Sequence, residues 1–110
     1  MNKYKNRKVE VDGYIFDSKK EAERYKVLKE MEDNSEIKYL QLQPIFVLQE
    51  AFTHPQWGKQ RPITYRADFE YMIMNGDIVV EDVKGIKTEV YKIKKKLFLK
   101  THPSVTFKEV

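Results

Sequence analysis

Residues 63–84, ITYRADFEYMIMNGDIVVEDVK, carry the pattern that predicts the centre of the fold. Apolar and polar residues alternate over residues 63–73, as they do in a half-buried β-strand. Asn75-Gly76 is a turn signal, and residues 78–84 predict the next strand. We therefore expect two consecutive strands joined by a tight turn.

The segments upstream predict a hairpin, a helix and further strand structure. Residues 9–16 fit a β-hairpin around an Asp-Gly turn, and a helix is expected from Asp17-Ser18 to about Met31. Residues 37–48 predict a strand that Pro44 interrupts, because proline cannot donate a ladder hydrogen bond. Residues 49–62 predict a loop or an extended hairpin tip with an exposed tryptophan.

The segments downstream complete an α/β order. Thr88 can cap a second helix that runs through Lys100, and residues 105–110 predict a short closing strand. After the N-terminal hairpin the order is α-β-β-β-α-β. That order predicts a mixed β-sheet flanked by helices, in a single domain covering residues 1–110.

Composition excludes several classes of site. The chain has 110 residues and no cysteine, which excludes disulfides and Cys-ligated zinc. Its two histidines, His54 and His102, lack metal-ligand spacing. No apolar run approaches the ~20 residues of a membrane span, and the N-terminus has no apolar signal region. We expect a soluble, cytoplasmic protein with no membrane partner.

Positive charge is concentrated in two segments, although the net charge is only +4. Clustered cations attract polyanions and support sequence-independent phosphate binding, which favours nucleic acid as a partner. A lysine-rich solvated face is the alternative. The clusters are Lys3, Lys5, Arg7 and Lys8 near the N-terminus, and Lys87, Lys92, Lys94, Lys95, Lys96 and Lys100 near and within the second helix.

Acidic residues on the two central strands suggest a metal site. Asp68 lies in the first strand, and the two-residue period of the second places Asp82 and Lys84 on one face. Carboxylates that hold Mg²⁺ and a nearby lysine are suited to phosphodiester hydrolysis. The alternative for Asp82 and Lys84 is an exposed strand end with a weak ion pair.

Glu21 strengthens the case for a metal. It completes the capping box Ser18-Lys19-Lys20-Glu21, which is a structural role. On a helical wheel, however, Glu21 also falls at the centre of the apolar face, beside Tyr25 and Leu28. An inward carboxylate is costly unless a cation meets it, and an ion shared with Asp68 and Asp82 would do so.

The second helix carries a lysine at the edge of its apolar face. That face is predicted to contain Val90, Ile93, Leu97 and Phe98, and Lys94 falls between the first and last of these. The lysine can extend along the edge of the core with its charge in water. Alternatively, it supplies a second cation near the scissile phosphate.

The proposed site requires a particular strand register. A two-residue Asn75-Gly76 turn would set Asp68 opposite Val83 and leave Asp68 and Asp82 on opposite faces. A three-residue connection, or one bulge, brings both aspartates onto one face. We therefore predict an odd-length turn or a bulge, with both carboxylates facing Glu21.

These residues and their surroundings resemble the PD-(D/E)XK nuclease superfamily, and more closely a family of small phage-encoded proteins of unassigned function. The likeness spans nearly the whole chain. The segments that carry it are VDGYIFDSKKEAERY, LQLQP, YRADFEY, VVEDVKG and KTEVYKIKKKLF. The resemblance implies a restriction-endonuclease-like αβββαβ core. Ala67 stands where the superfamily's name places proline, and the last helix lacks a clear Gln-x-x-x-Tyr element.

The resemblance also implies roles for individual residues. Glu21, Asp68 and Asp82 would bind Mg²⁺, with Mn²⁺ as a substitute, the carbonyl of Val83 would complete the shell, and Lys84 would be the catalytic lysine. Gln43 and Lys94 would lie at the edge of the site. The residues expected to contact DNA are Lys3, Lys5, Arg7, Lys8, Lys19, Lys20, Lys87 and Lys95.

The function implied is a structure-selective DNA endonuclease. Junction-resolving endonucleases are the nearest analogy, which implies branched or Holliday junction DNA as the substrate, a homodimer with two sites, and a role in phage recombination or replication within the host bacterial cytoplasm. The alternatives are a nicking or flap nuclease of the same fold and a non-catalytic DNA-binding module. RNA substrates also remain open.

Overall fold

The computed structural model describes residues 7–83, Gly85 and residues 87–110. Lys3, Lys5 and Lys84 therefore lie outside the described residues. The elements in chain order are β1 (Val9–Val11), β2 (Tyr14–Phe16), α1 (Lys19–Asp33), β3 (Ile37–Leu42), β4 (Ile45–Gln49), β5 (Phe52–His54), β6 (Gly58–Gln60), β7 (Ile63–Arg66), β8 (Phe69–Ile73), β9 (Ile78–Asp82), α2 (Glu89–Thr101) and β10 (Thr106–Glu109). The predicted mixed α/β class is confirmed.

A four-stranded mixed sheet forms the centre of the fold, in the order β10-β9-β8-β3. Strand β8 pairs antiparallel with both β3 and β9, whereas β10 runs parallel to β9. A parallel neighbour requires a crossover connection, and α2 supplies it between β9 and β10. The other paired strands form three two-stranded ribbons, β1-β2, β4-β7 and β5-β6.

Apolar side chains pack on both faces of this sheet. Consecutive residues of β9 enter different clusters, Val79 the one with α1 and Val80 the one with α2, as strand alternation requires. We call these the α1 face and the α2 face. Buried residues on the α1 face are Phe16, Ala22, Tyr25, Leu28, Ile37, Phe69, Tyr71 and Val79, and those on the α2 face are Leu48, Tyr65, Ala67, Val80, Tyr91 and Phe98.

Helix α1 agrees with the sequence pattern in its start and its orientation. The hydroxyl of Ser18 caps it by accepting a hydrogen bond of 3.1 Å from the main-chain N–H of Glu21. Its buried residues are Glu21, Ala22, Tyr25 and Leu28, the face that the helical wheel predicted. The helix ends at Asp33, two residues beyond the expected end.

The predicted continuous strand over residues 63–73 is wrong, because the chain leaves the main sheet at Ala67 and Asp68. Upstream of this break β7 pairs with β4, and downstream β8 pairs with β3 and β9. The break in residues 37–48 was expected at Pro44, and there Gln43 takes a positive φ of 52°. The two breaks face each other, since Ala67 N–H donates to the Pro44 carbonyl at 3.0 Å.

The predicted apolar face of α2 is correct at Phe98 and wrong at its three aliphatic residues. Val90 and Ile93 are 61% and 59% exposed, and Leu97 is exposed as well. The helix buries Tyr91 together with Phe98. Large aromatic rings remove more apolar surface from water than the aliphatic side chains do, so they determine which side of the helix packs on the sheet.

Candidate active site

The β8–β9 connection has the odd length that the proposed site requires. Main-chain N–H of Ile73 donates to Asp77 at 3.0 Å, which leaves three residues, 74–76, in the turn. Gly76 occupies the left-handed region with φ 96°, where a side chain would be strained. Phe69 stands opposite Glu81, so the next residues along the two strands, Asp68 and Asp82, are neighbours. The odd-length turn is confirmed, whereas a common orientation of both carboxylates toward Glu21 stays a prediction.

Asp68 is the residue at which the acidic side chains meet. Its Oδ2 accepts a hydrogen bond of 2.6 Å from the main-chain N–H of Val83. Burial, followed by contact with the Glu21 carboxyl, raises the pKa of Asp68 to about 6, although contacts with Asp82 and the Val83 amide oppose the rise. Asp68 therefore lies within interaction distance of both other carboxyl groups.

Glu21 reaches this site from the first turn of α1 and is only 3% exposed. Its Oε1 accepts a hydrogen bond of 2.9 Å from the main-chain N–H of Asp17, not from Ser18 as an ideal capping box would have it. Its Oε2 is buried and has no hydrogen-bond donor among the described residues. A buried carboxylate oxygen in this state needs a proton or a cation.

Asp82 ends β9 and is fully buried. Its Oδ2 accepts a hydrogen bond from the Tyr65 hydroxyl, which belongs to the cluster on the α2 face. Burial, and next this hydrogen bond, raises the pKa of Tyr65. Asp82 is thus oriented in part by a tyrosine, and no sequence pattern pointed to that role for Tyr65.

The donors suit a hard divalent cation chemically, because Mg²⁺ prefers carboxylate oxygens. The unsatisfied Oε2 of Glu21 beside Asp68 is the structural observation in favour of one. Within the described residues, no group of three acidic or histidine side chains is arranged so that it could hold an ion as it stands. Ligation by Glu21, Asp68 and Asp82 together therefore requires their side chains to rearrange.

A second buried acid beside the site has a different environment. Glu81 is fully buried, and its two carboxylate oxygens each accept a hydrogen bond of 2.7 Å, from Nε and Nη2 of Arg24. The Tyr71 hydroxyl donates to it as well. Burial pushes the pKa of Glu81 up, but Arg24 and Tyr71 outweigh burial and the pKa is lowered. This network ties α1 to β9, and with them Glu21 to Asp82.

Sequence reasoning missed the Arg24–Glu81 pair. The only available signal was weak: Arg24 lies one helical turn after Glu21, at the edge of the buried face of α1. Its acidic partner is 57 residues away along the chain, so no local pattern connects the two.

The remaining predicted site residues differ in how far the structure describes them. Lys84 lies outside the described residues. Val83 contributes its amide to Asp68. Gln43 is next to the site through its main chain, because its N–H donates to the Asp68 carbonyl at 2.9 Å. Lys94 is partly exposed on α2. A site-edge role for Gln43 and Lys94 stays a prediction.

The predicted DNA-contacting cations fall into two groups. Lys8 pairs with Asp17 at 3.0 Å, and Lys87 and Lys95 pair with Glu109 at 3.2 and 3.3 Å. Asp17 and Glu109 therefore partly neutralise the positive charge of these three lysines. Arg7, Lys19 and Lys20 are exposed and form no ion pair with another described residue. The latter group is thus the more available to phosphates.

The fold and the site define a mixed α/β protein with buried acidic side chains at the end of its central sheet. The family whose model matches the chain is described as a protein of unknown function, DUF1064, and the match covers residues 1–110. The chain therefore belongs to the DUF1064 family. No curated protein and no solved structure matches it. Within the described residues, no helix is long and apolar enough to cross a membrane.

Proposed function

We propose that this protein is a metal-dependent DNA endonuclease that hydrolyses phosphodiester bonds, with an active site that contains Glu21, Asp68 and Asp82. The observation that carries the proposal is the association of the buried Glu21 and Asp82 with the partly buried Asp68, with one oxygen of Glu21 left without a donor among the described residues. Burying like charges together opposes folding. A bound cation would compensate for that cost.

The chain's own residues have separable roles in this proposal. Glu21, Asp68 and Asp82 hold the ion, Mg²⁺ or Mn²⁺ in its place. When bound, the ion supplies a hydroxide from water at neutral pH and offsets charge on the transition state. The Val83 amide and the Tyr65 hydroxyl orient Asp68 and Asp82. In this assignment Lys84 orients the attacking water or stabilises charge on the phosphate.

The arrangement of the central sheet supports the finer assignment to a PD-(D/E)XK core. The elements α1, β3, β8, β9, α2 and β10 follow one another in the order αβββαβ. Strands β4 to β7 then form an excursion between the first and second core strands. In this assignment Asp68 immediately precedes the second core strand and Asp82 is the last residue of the third.

Branched DNA is the substrate class that we propose, with Holliday junctions as one example. Resolving a junction requires two cuts, and the three-carboxylate cluster provides one proposed site per chain, so the proposal includes a homodimer. The second candidate, a non-catalytic DNA-binding module, is disfavoured by the same buried carboxylates. A surface that only binds DNA has no need of them, and they cost stability.

A cleavage assay on a substrate panel tests the proposal. Labelled four-way junction, flap, nicked and linear duplex DNA are incubated with the protein in Mg²⁺ and, as the matched control, in EDTA. We expect cleavage of branched DNA in Mg²⁺ alone. Preferred cleavage of the flap or nicked substrate would replace the junction assignment, and binding without cleavage of any substrate would refute the nuclease.

A further inference from the structure

The β5–β6 hairpin stands apart from the rest of the fold. Its strands pair with each other through Phe52↔Gln60, Thr53↔Lys59 and His54↔Gly58, and neither makes more than marginal contact with another described element. A hairpin that packs on so little contributes few core contacts. Its residues therefore need an explanation other than stability of the core.

The tip of this hairpin is ordered by hydrogen bonds while its largest side chain is left in water. The Nδ1 atom of His54 accepts from the main-chain N–H groups of Gln56 and Trp57, both at 3.0 Å. Trp57 is nevertheless 74% exposed. The fold thus positions the backbone below the indole and does not cover it.

One face of the hairpin presents rings around an open depression. Phe52, His54 and Gln60 occupy alternate or paired positions, which share a face, and together with Trp57 they line the depression. Phe52 is 46% exposed. Neither Phe52 nor Trp57 packs against another aromatic ring within the described chain. Such a surface suits a flat aromatic group.

The charges beside these rings suit an anionic partner. Lys59 and Arg61 are exposed and have no acidic partner among the residues that the structure describes, in contrast to Lys87 and Lys95. Over residues 50–62 the formal charge is +1, from two cations against Glu50. A flat aromatic group carried on a polyanion is a nucleobase, whereas a second copy of this hairpin would bring the same cations.

The hairpin is joined to the candidate active site by the β4–β7 ribbon. One end of the ribbon lies at the site, where Gln43 and Ala67 are bonded to Asp68 and Pro44 through their main chains. The other end leads into β5 and β6. Trp57 and Arg66 are nine positions apart, so their Cα atoms lie at most roughly 32 Å from each other.

We propose that the β5–β6 hairpin is a stacking arm, in which Trp57 stacks on an unpaired base of the substrate while Lys59 and Arg61 contact the adjoining phosphates. Base–aromatic stacking tolerates any sequence and requires a base that has left the duplex. The substrate assigned to this arm, branched DNA, depends on the proposed function. In this proposal the protein selects branched DNA because branched DNA exposes unpaired bases.

Trp57 is the sole tryptophan, so its fluorescence reports on the arm alone. The wild-type protein is titrated in EDTA with three DNA probes. They are a single-stranded oligonucleotide, a four-way junction that contains unpaired bases, and a blunt duplex of the same length as the oligonucleotide. We expect quenching by the first two and little by the duplex. Trp57→Ala should weaken binding of the first two, measured by anisotropy, about 5- to 100-fold, and Trp57→Phe much less. Tyr39→Ala, at an equally exposed ring on β3, is the matched control.

Several outcomes would refute the stacking-arm proposal. Equal quenching by duplex and single strand, or unchanged affinity of Trp57→Ala, would exclude stacking on unpaired bases. A change of sedimentation coefficient in Trp57→Ala would instead make the hairpin a contact between copies of the chain. Because the titration uses no metal, it is independent of cleavage. Quenching by unpaired DNA without any nuclease activity would support the stacking arm and refute only the proposed nuclease function.

Discussion

Replacing Arg24 by methionine should destabilise the protein strongly. The substitution keeps the apolar stem of the side chain and removes the guanidinium that donates two hydrogen bonds to Glu81. Glu81 is fully buried, so water cannot replace those donors. Among the described residues, the Tyr71 hydroxyl would then be the remaining side-chain hydrogen-bond donor to Glu81.

The size of the effect follows from the burial of the two partners. Removing one partner of a buried ion pair costs about 3–5 kcal/mol. Because the Arg24 side chain is 28% exposed, we expect about 3 kcal/mol, at the lower end of that range. In a domain of this size the melting temperature should fall by roughly 12–24 °C.

Urea unfolding of the wild type and three variants measures this effect. Lys26→Met removes an exposed pair with Glu23 on the same helix, and it should stay within about 0.5 kcal/mol of wild type. Arg24→Met combined with Glu81→Gln should recover much of the loss, because no charge is left buried. If Arg24→Met costs no more than Lys26→Met, the buried pair does not hold α1 to β9.

Three further predictions concern the site, the turn and the DNA. The pKa of Asp68 is raised to about 6, so without metal the stability that protonated Asp68 contributes at low pH should fall by about 2.4 kcal/mol between pH 4 and pH 7. Asp68→Asn should abolish that fall in urea titrations, and a fall that persists would contradict the assignment. Gly76→Ala should cost about 1 kcal/mol in the same assay, because the position has a positive φ; no loss would argue against the three-residue turn. DNA affinity should drop at least tenfold between ~50 and ~200 mM salt, and an unchanged anisotropy titration would exclude the basic segments as the contact surface.

Local patterns predicted much of the fold. The hairpin at Asp12-Gly13, the cap at Ser18 and the inward direction of Glu21 all follow from short-range rules of turn and helix formation. The odd-length turn could be predicted because Asn75-Gly76 permits it and because the other register would separate the two aspartates. These are features in which the deciding residues are close together in sequence.

Features set by distant residues could not be predicted. The alternation through Ala67 and Asp68 is compatible with one strand, and only pairing of β7 with β4 shows where the chain leaves the sheet. On α2, the ring of Phe98 packs against Tyr65 and Phe107, which are distant in sequence, while the aliphatic residues predicted beside Phe98 stay exposed. The hydrogen bonds of Tyr65 to Asp82 and of Arg24 to Glu81 likewise join residues that are distant in sequence.

The most direct test of the central claim compares cleavage and binding in variants of Asp82. Asp82→Asn keeps the shape and the acceptor for Tyr65, and Asp82→Ala removes both. Asp77→Asn, at an exposed aspartate immediately before the same strand, is the matched control. Cleavage of junction DNA in Mg²⁺ and binding in EDTA are measured for each, with circular dichroism to verify folding. We predict that both Asp82 variants lose Mg²⁺-dependent cleavage and bind DNA nearly as wild type does, while Asp77→Asn cleaves normally; full cleavage by folded Asp82→Ala would contradict the account.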